Sequence, residues 1–163
     1  MRKSSLILVI FLFTTTCLLA QTEAVNIYNP NANAKEDIAN AVKQAKAENK
    51  QVLLQIGGNW CPWCVKLHKF MAEDPQVDSL LKADYIRVMV NYSKEVKNEE
   101  VMKMLGNPQR FGFPVLIILG QDGMRLHTQD SWYLEKEKYY DKEKVMHFLE
   151  MWNVAAAGSK CTM

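Results

Sequence analysis

Apolar residues recur at helical spacing through Ile38, Ala41, Val42 and Ala45, which predicts a helix running to about Glu48. Asn33 followed by Glu36 supplies a capping-box start, and Asn49-Lys50 breaks the pattern. The short run from Gln51 to Ile56 is predominantly apolar and predicts a buried strand. Gly57-Gly58-Asn59 then makes a loop before a second helix, expected from about Pro62 to Met71. Pro62 suits its first turn, where a missing N–H costs nothing. Asp74-Pro75 starts another short helix with Val77, Leu80 and Leu81 apolar. Tyr85 to Val90 is rich in strand formers. A polar loop, Asn91 to Lys97, leads to a helix over Glu99 to Leu105, closed by Gly106-Asn107-Pro108. Val115 to Leu119 is wholly apolar and predicts a strand. Gln121-Asp122-Gly123 turns the chain into a return strand over Met124 to Thr128. Asp141 can cap a last helix whose inner face carries Val145, Phe148, Leu149 and Trp152. Ala155 to Met163 shows no pattern.

Strands and helices that alternate in this way predict an α/β fold, a central mixed β-sheet flanked by helices on both faces. The chain has 163 residues, and 48% of them are hydrophobic, enough for one domain with a sizeable core. That domain is expected over residues 33–153. A polar arm at 21–32, containing Asn29-Pro30-Asn31, precedes it, and a flexible tail at 154–163 follows.

Residues 1–20 differ from the rest. Arg2 and Lys3 precede an unbroken apolar run from Leu6 to Phe13. This stretch is too short to span a bilayer and reads as a secretory signal, cleaved after Ala20. Cys17 allows a second reading, lipid attachment at a signal cysteine. Thr14-Thr15-Thr16 lacks the Leu and small-residue run of a bacterial lipobox, and the simpler account discards Cys17. Loss of residues 1–20 removes two cations and no acid, so the formal charge of +2 falls to 0. No basic stripe remains to argue for nucleic acid, and no second apolar segment argues for a membrane span.

Export changes how the cysteines read, because disulfides persist outside the cytosol. After the signal the chain holds Cys61, Cys64 and Cys161, one close pair and one spare. The pair stands in Trp60-Cys61-Pro62-Trp63-Cys64, at the start of the second helix. Two cysteines three apart at a helix start can close a small disulfide ring. Unpaired N–H groups and the helix dipole favour a thiolate on the first, and a thiolate is the species that attacks a disulfide sulfur. The static alternative is a structural disulfide, but a loop this short contributes little loop-closure entropy. A metal alternative would combine Cys61, Cys64 and His68 with Cys161. Structural zinc sites, however, usually draw on two well-separated ligand pairs.

On these residues the chain resembles the thioredoxin-like superfamily over roughly residues 35–152. The carriers are a strand leading into Trp60-Cys61-Pro62-Trp63-Cys64, Phe113-Pro114 directly before an apolar strand, and the strand-turn-strand-helix ending. Trp60 to Leu67, Asp74-Pro75 and Val77 look most like small exported bacterial members with a Trp-Cys-x-x-Cys motif. The resemblance implies that Cys61 is the exposed attacking cysteine and Cys64 the buried resolving one. It implies that Pro114 is a cis-proline holding the substrate chain, with Phe113 beside it, and that Trp60 shields the site. Pro62 and Trp63, inside the motif, complete the expected substrate-facing set. Two positions depart from thioredoxin. Gln55 stands where thioredoxins bury an aspartate, and a glutamine cannot take a proton from Cys64, so water or another group must. Val65 follows Cys64 where thioredoxins often carry lysine.

The expected function is an exported thiol–disulfide oxidoreductase of the bacterial periplasm or cell envelope. It would exchange disulfides with exported cysteine-containing proteins and with an upstream thiol–disulfide donor or acceptor. Reduction is favoured over oxidation or isomerisation, although the departures above leave the direction open. Neither a metal nor an organic cofactor is needed, because electrons pass through sulfur. The alternative is a non-catalytic peptide-binding or chaperone-like envelope module that uses Trp63, Trp132 and the groove beside Pro114. His68 reads as a partly exposed surface histidine, or else as a cation or proton shuttle that favours a thiolate. Trp63 is expected to be exposed. Trp132-Tyr133 and Tyr139-Tyr140 are expected to pack as core against the last helix, with a partner surface as the other reading. Glu135 to Lys138 reads as a solvated turn or helix start. Cys161 reads as an unused thiol on a flexible tail.

Overall fold

The computed structural model describes residues 26–158. The expected signal segment, Cys17 and Cys161 lie outside the described residues. The elements run α1 (Ala34–Glu48), β1 (Gln51–Gly57), α2 (Pro62–Glu73), α3 (Pro75–Asp84), β2 (Tyr85–Asn91), α4 (Glu99–Met104), β3 (Val115–Leu119) and β4 (Arg125–Asp130). A two-residue hairpin, β5 (Glu135–Lys136) and β6 (Tyr139–Tyr140), follows, then α5 (Lys142–Trp152) and α6 (Val154–Gly158).

Four strands form one mixed sheet in the order β2-β1-β3-β4. β1 pairs parallel to β2 and antiparallel to β3, and β3 pairs antiparallel to β4. The central strands β1 and β3 are buried along their whole length. Alternation along the strands divides their side chains between two layers. Val52, Leu54 and Ile56 join Val115, Ile117 and Leu119 against α1 and α4. Leu53, Leu116 and Ile118 face the opposite layer with Leu67 and Met71 of α2, Val77 and Leu81 of α3, and Val145, Phe148 and Leu149 of α5. Helices thus cover both faces, as the periodicity predicts.

The helix starts are set locally. The Asn33 side chain accepts from the Glu36 N–H, and Asn49 in the left-handed region closes α1. Asp74 ends α2 and caps α3, accepting from the N–H groups of Gln76 and Val77. Asp141 caps α5 through the Lys144 N–H.

Several expectations change. β4 runs to Asp130, two residues beyond the predicted end, because Gln129 and Asp130 continue the pairing with Leu116 and Val115. Glu135 to Lys138 is a solvated turn and not a helix start. Glu137 lies at φ 58 and reverses the chain between β5 and β6. α6 falls within the stretch that sequence treats as a tail, where Asn153 accepts from the Ala156 N–H and starts an alanine-rich turn. Trp132 and Tyr133 are not core: they are 73% and 70% exposed, while their neighbours Ser131 and Leu134 are buried. The short 3-10 turn over Ser131–Leu134 directs its first and last residues inward and the aromatic pair outward.

Candidate active site

β1 delivers the chain to the site, and two glycines make room there. A Cβ on Gly57 would collide with Cys64 Sγ, and one on Gly58 would collide with the Trp60 indole. At both positions close approach, and not backbone flexibility, requires glycine. Cys61 is the N-cap of α2 with Pro62 in the first helical turn, and its sulfur accepts from the Cys64 N–H at 3.2 Å. Cys61 and Cys64 are joined as a disulfide, with Cα atoms 5.2 Å apart. Both cysteines are buried in this state. Cys61 is 4% exposed and Cys64 0%, so Cys61 is not the exposed residue that the resemblance implies. Trp63 and Phe113 pack against the cluster that the two cysteines form with Tyr28. Cys61 is still the outer of the two.

Phe113, from the loop ahead of β3, packs against the cysteine cluster, and Pro114 follows it. The Phe113–Pro114 peptide is cis. The Phe113 ring stacks near Tyr92, 4.8 Å between centroids, and meets Trp60 edge-on at 5.7 Å. Trp60 is 57% exposed, and its indole N–H donates to the Tyr92 carbonyl at 2.8 Å. It forms an exposed wall of the site, anchored at its nitrogen. Trp63, expected to be exposed, is half-buried. Its ring meets Tyr140 edge-on at 5.6 Å, its carbonyl accepts from the Tyr140 hydroxyl, and the Lys66 ammonium lies 4.3 Å from its ring centre. The β5–β6 hairpin therefore braces the motif through Tyr140, a contact with no signal in the motif itself.

Gln55 is 1% exposed and lies beneath the pair. Its amide nitrogen donates to the Cys64 carbonyl at 3.1 Å and to the Tyr28 hydroxyl at 2.7 Å. Tyr28 is fully buried, so the arm before α1 is more than a polar lead-in. Asn59 fastens that arm: its side-chain oxygen accepts from the N–H groups of Ile27 and Tyr28, and its nitrogen donates to the Tyr28 carbonyl. The sequence signal for Tyr28 is slight, a lone Ile27-Tyr28 pair in a polar stretch.

His68 sits one turn below Cys64 on α2, half-buried, with Nδ1 buried and unpaired among the described residues. Burial first, and the Arg87 charge second, hold its imidazole below the ordinary value. The shift favours the neutral ring, which argues against a cationic role beside a thiolate. Among the described residues no group of three or more His, Cys, Asp or Glu side chains is placed to hold a metal ion.

A family model described as thioredoxin-like matches residues 33–121, more than half of the chain. The chain belongs to the thioredoxin-like family. Solved structures agree on the fold. A disulphide isomerase from Xylella fastidiosa Temecula1 superposes with a TM-score of 0.67 at 22% identity, covering 76% of this chain and 94% of that one. The C-terminal domain of Neisseria meningitidis DsbD in its oxidised form gives 0.55 at 17% identity, covering 75% and 97%. A thioredoxin from Thermus thermophilus gives 0.54 at 19% identity, covering 77% and 88%. No curated protein matches by sequence. In this thioredoxin-like chain the cysteine pair occupies the family's motif position, an arrangement that supports thiol–disulfide exchange in general. No helix among the described residues is long and apolar enough to cross a membrane.

Proposed function

We propose that the protein is an exported thiol–disulfide oxidoreductase, acting in the periplasm or cell envelope of a bacterium and running in the reducing direction. One observation carries the reading: the Cys61–Cys64 disulfide closes the N-terminus of α2 in a cluster against which Phe113 packs. After reduction, Cys61 stands at a helix start that stabilises a thiolate. The thiolate attacks one sulfur of a substrate disulfide. It forms a mixed disulfide and expels the other substrate sulfur as a thiolate, which takes a proton from water. Cys64 then attacks Cys61 Sγ, re-forms the intramolecular disulfide and releases the second substrate sulfur. An upstream dithiol returns two electrons to the pair. Trp60, Pro62, Trp63, Phe113 and Pro114 are the residues proposed to face the substrate chain, and exported cysteine-containing proteins are the proposed substrates. The segment 1–20 is the proposed export signal.

The exposure of Trp132 and Tyr133 favours a second reading, a peptide-binding envelope module. Asp130 pairs with Val115, the residue after Pro114, so Trp132 leaves the sheet at the same end as the cis-proline. One variant separates the two. Cys61→Ser/Cys64→Ser is expected to lose all reduction of a disulfide-linked test peptide with dithiothreitol as electron source. An unchanged rate, with the peptide still bound, would replace the enzyme by the binding module.

A further inference from the structure

Resolution of the mixed disulfide needs Cys64 as a thiolate, yet Cys64 is fully buried. Burial without a hydrogen-bond donor disfavours a charged sulfur. Thioredoxin's aspartate position holds Gln55, which neither takes a proton nor carries charge. The surroundings of Cys64 Sγ supply a donor from elsewhere in the chain. The point that a Gly57 Cβ would occupy meets Cys64 Sγ and lies 3.0 Å from the Tyr28 hydroxyl. Sulfur and hydroxyl therefore both border the spot that glycine leaves clear.

We propose that Tyr28 is a positioning residue for the second step of exchange, its hydroxyl turning to donate to the Cys64 thiolate across the space left by Gly57. This rests on the redox reading above. A hydroxyl has one proton to give and two sites to accept. The Gln55 amide fills an accepting site at 2.7 Å, and its other N–H is committed to the Cys64 carbonyl, which fixes the amide's orientation. The Tyr28 proton is left free to turn. Burial raises the phenol well above its ordinary value, so Tyr28 remains a donor throughout the working pH range. Asn59 holds the Tyr28 backbone at both its N–H and its carbonyl, so the ring does not depend on the arm's own order.

The charged and titratable groups tied electrostatically to Tyr28 are Arg87 of β2, which also acts on His68 of α2, and Tyr140 of β6. The Arg87 charge reaches both Tyr28 and His68, and Arg87 Nε is buried without a partner among the described residues. His68 is shifted toward its neutral form, and the hydroxyl of Tyr140 is spent on the Trp63 carbonyl. In the step itself Cys64 gives its proton to water and attacks Cys61 Sγ. The Cys61–substrate bond breaks and the substrate leaves as a thiolate. Tyr28 keeps its own proton and is neither oxidised nor reduced.

Tyr28→Phe removes the hydroxyl and keeps the ring. Two measurements read it: the Cys64 pKa from thiolate absorbance in a Cys61→Ser background, and the rate at which a Cys61-linked mixed disulfide resolves. The Cys64 pKa is expected to rise by about one unit, and resolution at pH 7 to slow roughly tenfold. The deficit should close as pH rises above both pKa values, while the first attack by Cys61 is unaffected. An unchanged Cys64 pKa and resolution rate would overturn the proposal. So would an equal, pH-independent slowing of both steps, which marks a merely structural role. If Tyr28→Phe does not fold, the Tyr28 Cζ resonance in ¹³C-tyrosine protein carrying Cys61→Ser decides. It should move with the Cys64 titration, and a flat response overturns the proposal. A reversible wild-type couple with an unaltered Tyr28→Phe defeats Tyr28 alone, whereas a wild type with no reversible couple defeats the redox reading first.

Discussion

Gly57 is a single position on which the disulfide, Tyr28 and the end of β1 all converge. Its missing side chain is a packing requirement, since a Cβ there meets Cys64 Sγ. Gly57→Ala is expected to destabilise the oxidised protein by about 1–3 kcal/mol through overpacking, measured by chemical denaturation of oxidised and reduced forms. The larger loss should fall on the oxidised form, where Cys64 is tied to Cys61 and has less freedom to retreat. Equal stability of glycine and alanine proteins would mean that the gap is not tight. Much at this scale is legible in sequence. The cysteine pair stands in plain spacing at a helix start, while Pro114 and the glutamine in place of an acid at Gln55 are legible through the family resemblance. Tyr28 is not legible, because no periodicity marks a single aromatic on an irregular arm. Its burial is a product of Asn59, 31 residues away. The exposure of Trp132 and Tyr133 is likewise hidden. An aromatic pair after a strand reads first as core, and only the 3-10 turn sets its direction outward.

Between elements, Asp74 does two jobs. It caps α3, and its carboxylate meets Lys142 at the start of α5 at 2.8 Å. The hydrogen bond with Lys142, aided by the two backbone N–H groups, holds the Asp74 carboxyl below its ordinary value. A folded value below the unfolded one means that the contribution is present above the unfolded carboxylate range. It is then lost as pH falls through the folded value. Asp74→Asn should therefore lower stability at neutral pH and flatten the acid limb of the stability curve below about pH 4, followed by thermal melts across pH. An acid limb identical to wild type would contradict the role. Elements with strong local signals read well from sequence: α1 from its period and its Asn33 cap, α2 and α3 from Pro62 and Pro75. The β5–β6 hairpin does not, since two strands of two residues leave no period to detect. Its turn depends on Glu137 adopting a conformation that glutamate seldom takes.

Across the whole molecule, two core layers clamp a four-stranded sheet and bring three distant stretches to one end of it. The arm contributes Tyr28, the β1–α2 junction contributes the cysteines, and the loop before β3 contributes Phe113 and Pro114. This convergence explains why the fold class was readable while the back of the site was not. Hydrophobic period specifies layers, but side chains that meet across 30 or 50 residues leave no mark on local spacing. It also concentrates the functional claim on one pair of sulfur atoms. The most direct test is the reduction potential of the Cys61–Cys64 pair, measured in dithiol and glutathione redox buffers after mass spectrometry confirms the disulfide. The account predicts a reversible two-electron couple near or below about −270 mV, the value for a reductant supplied by its own electron donor. A value toward about −120 mV would reverse the direction proposed here, and the absence of any reversible couple would contradict thiol–disulfide exchange altogether.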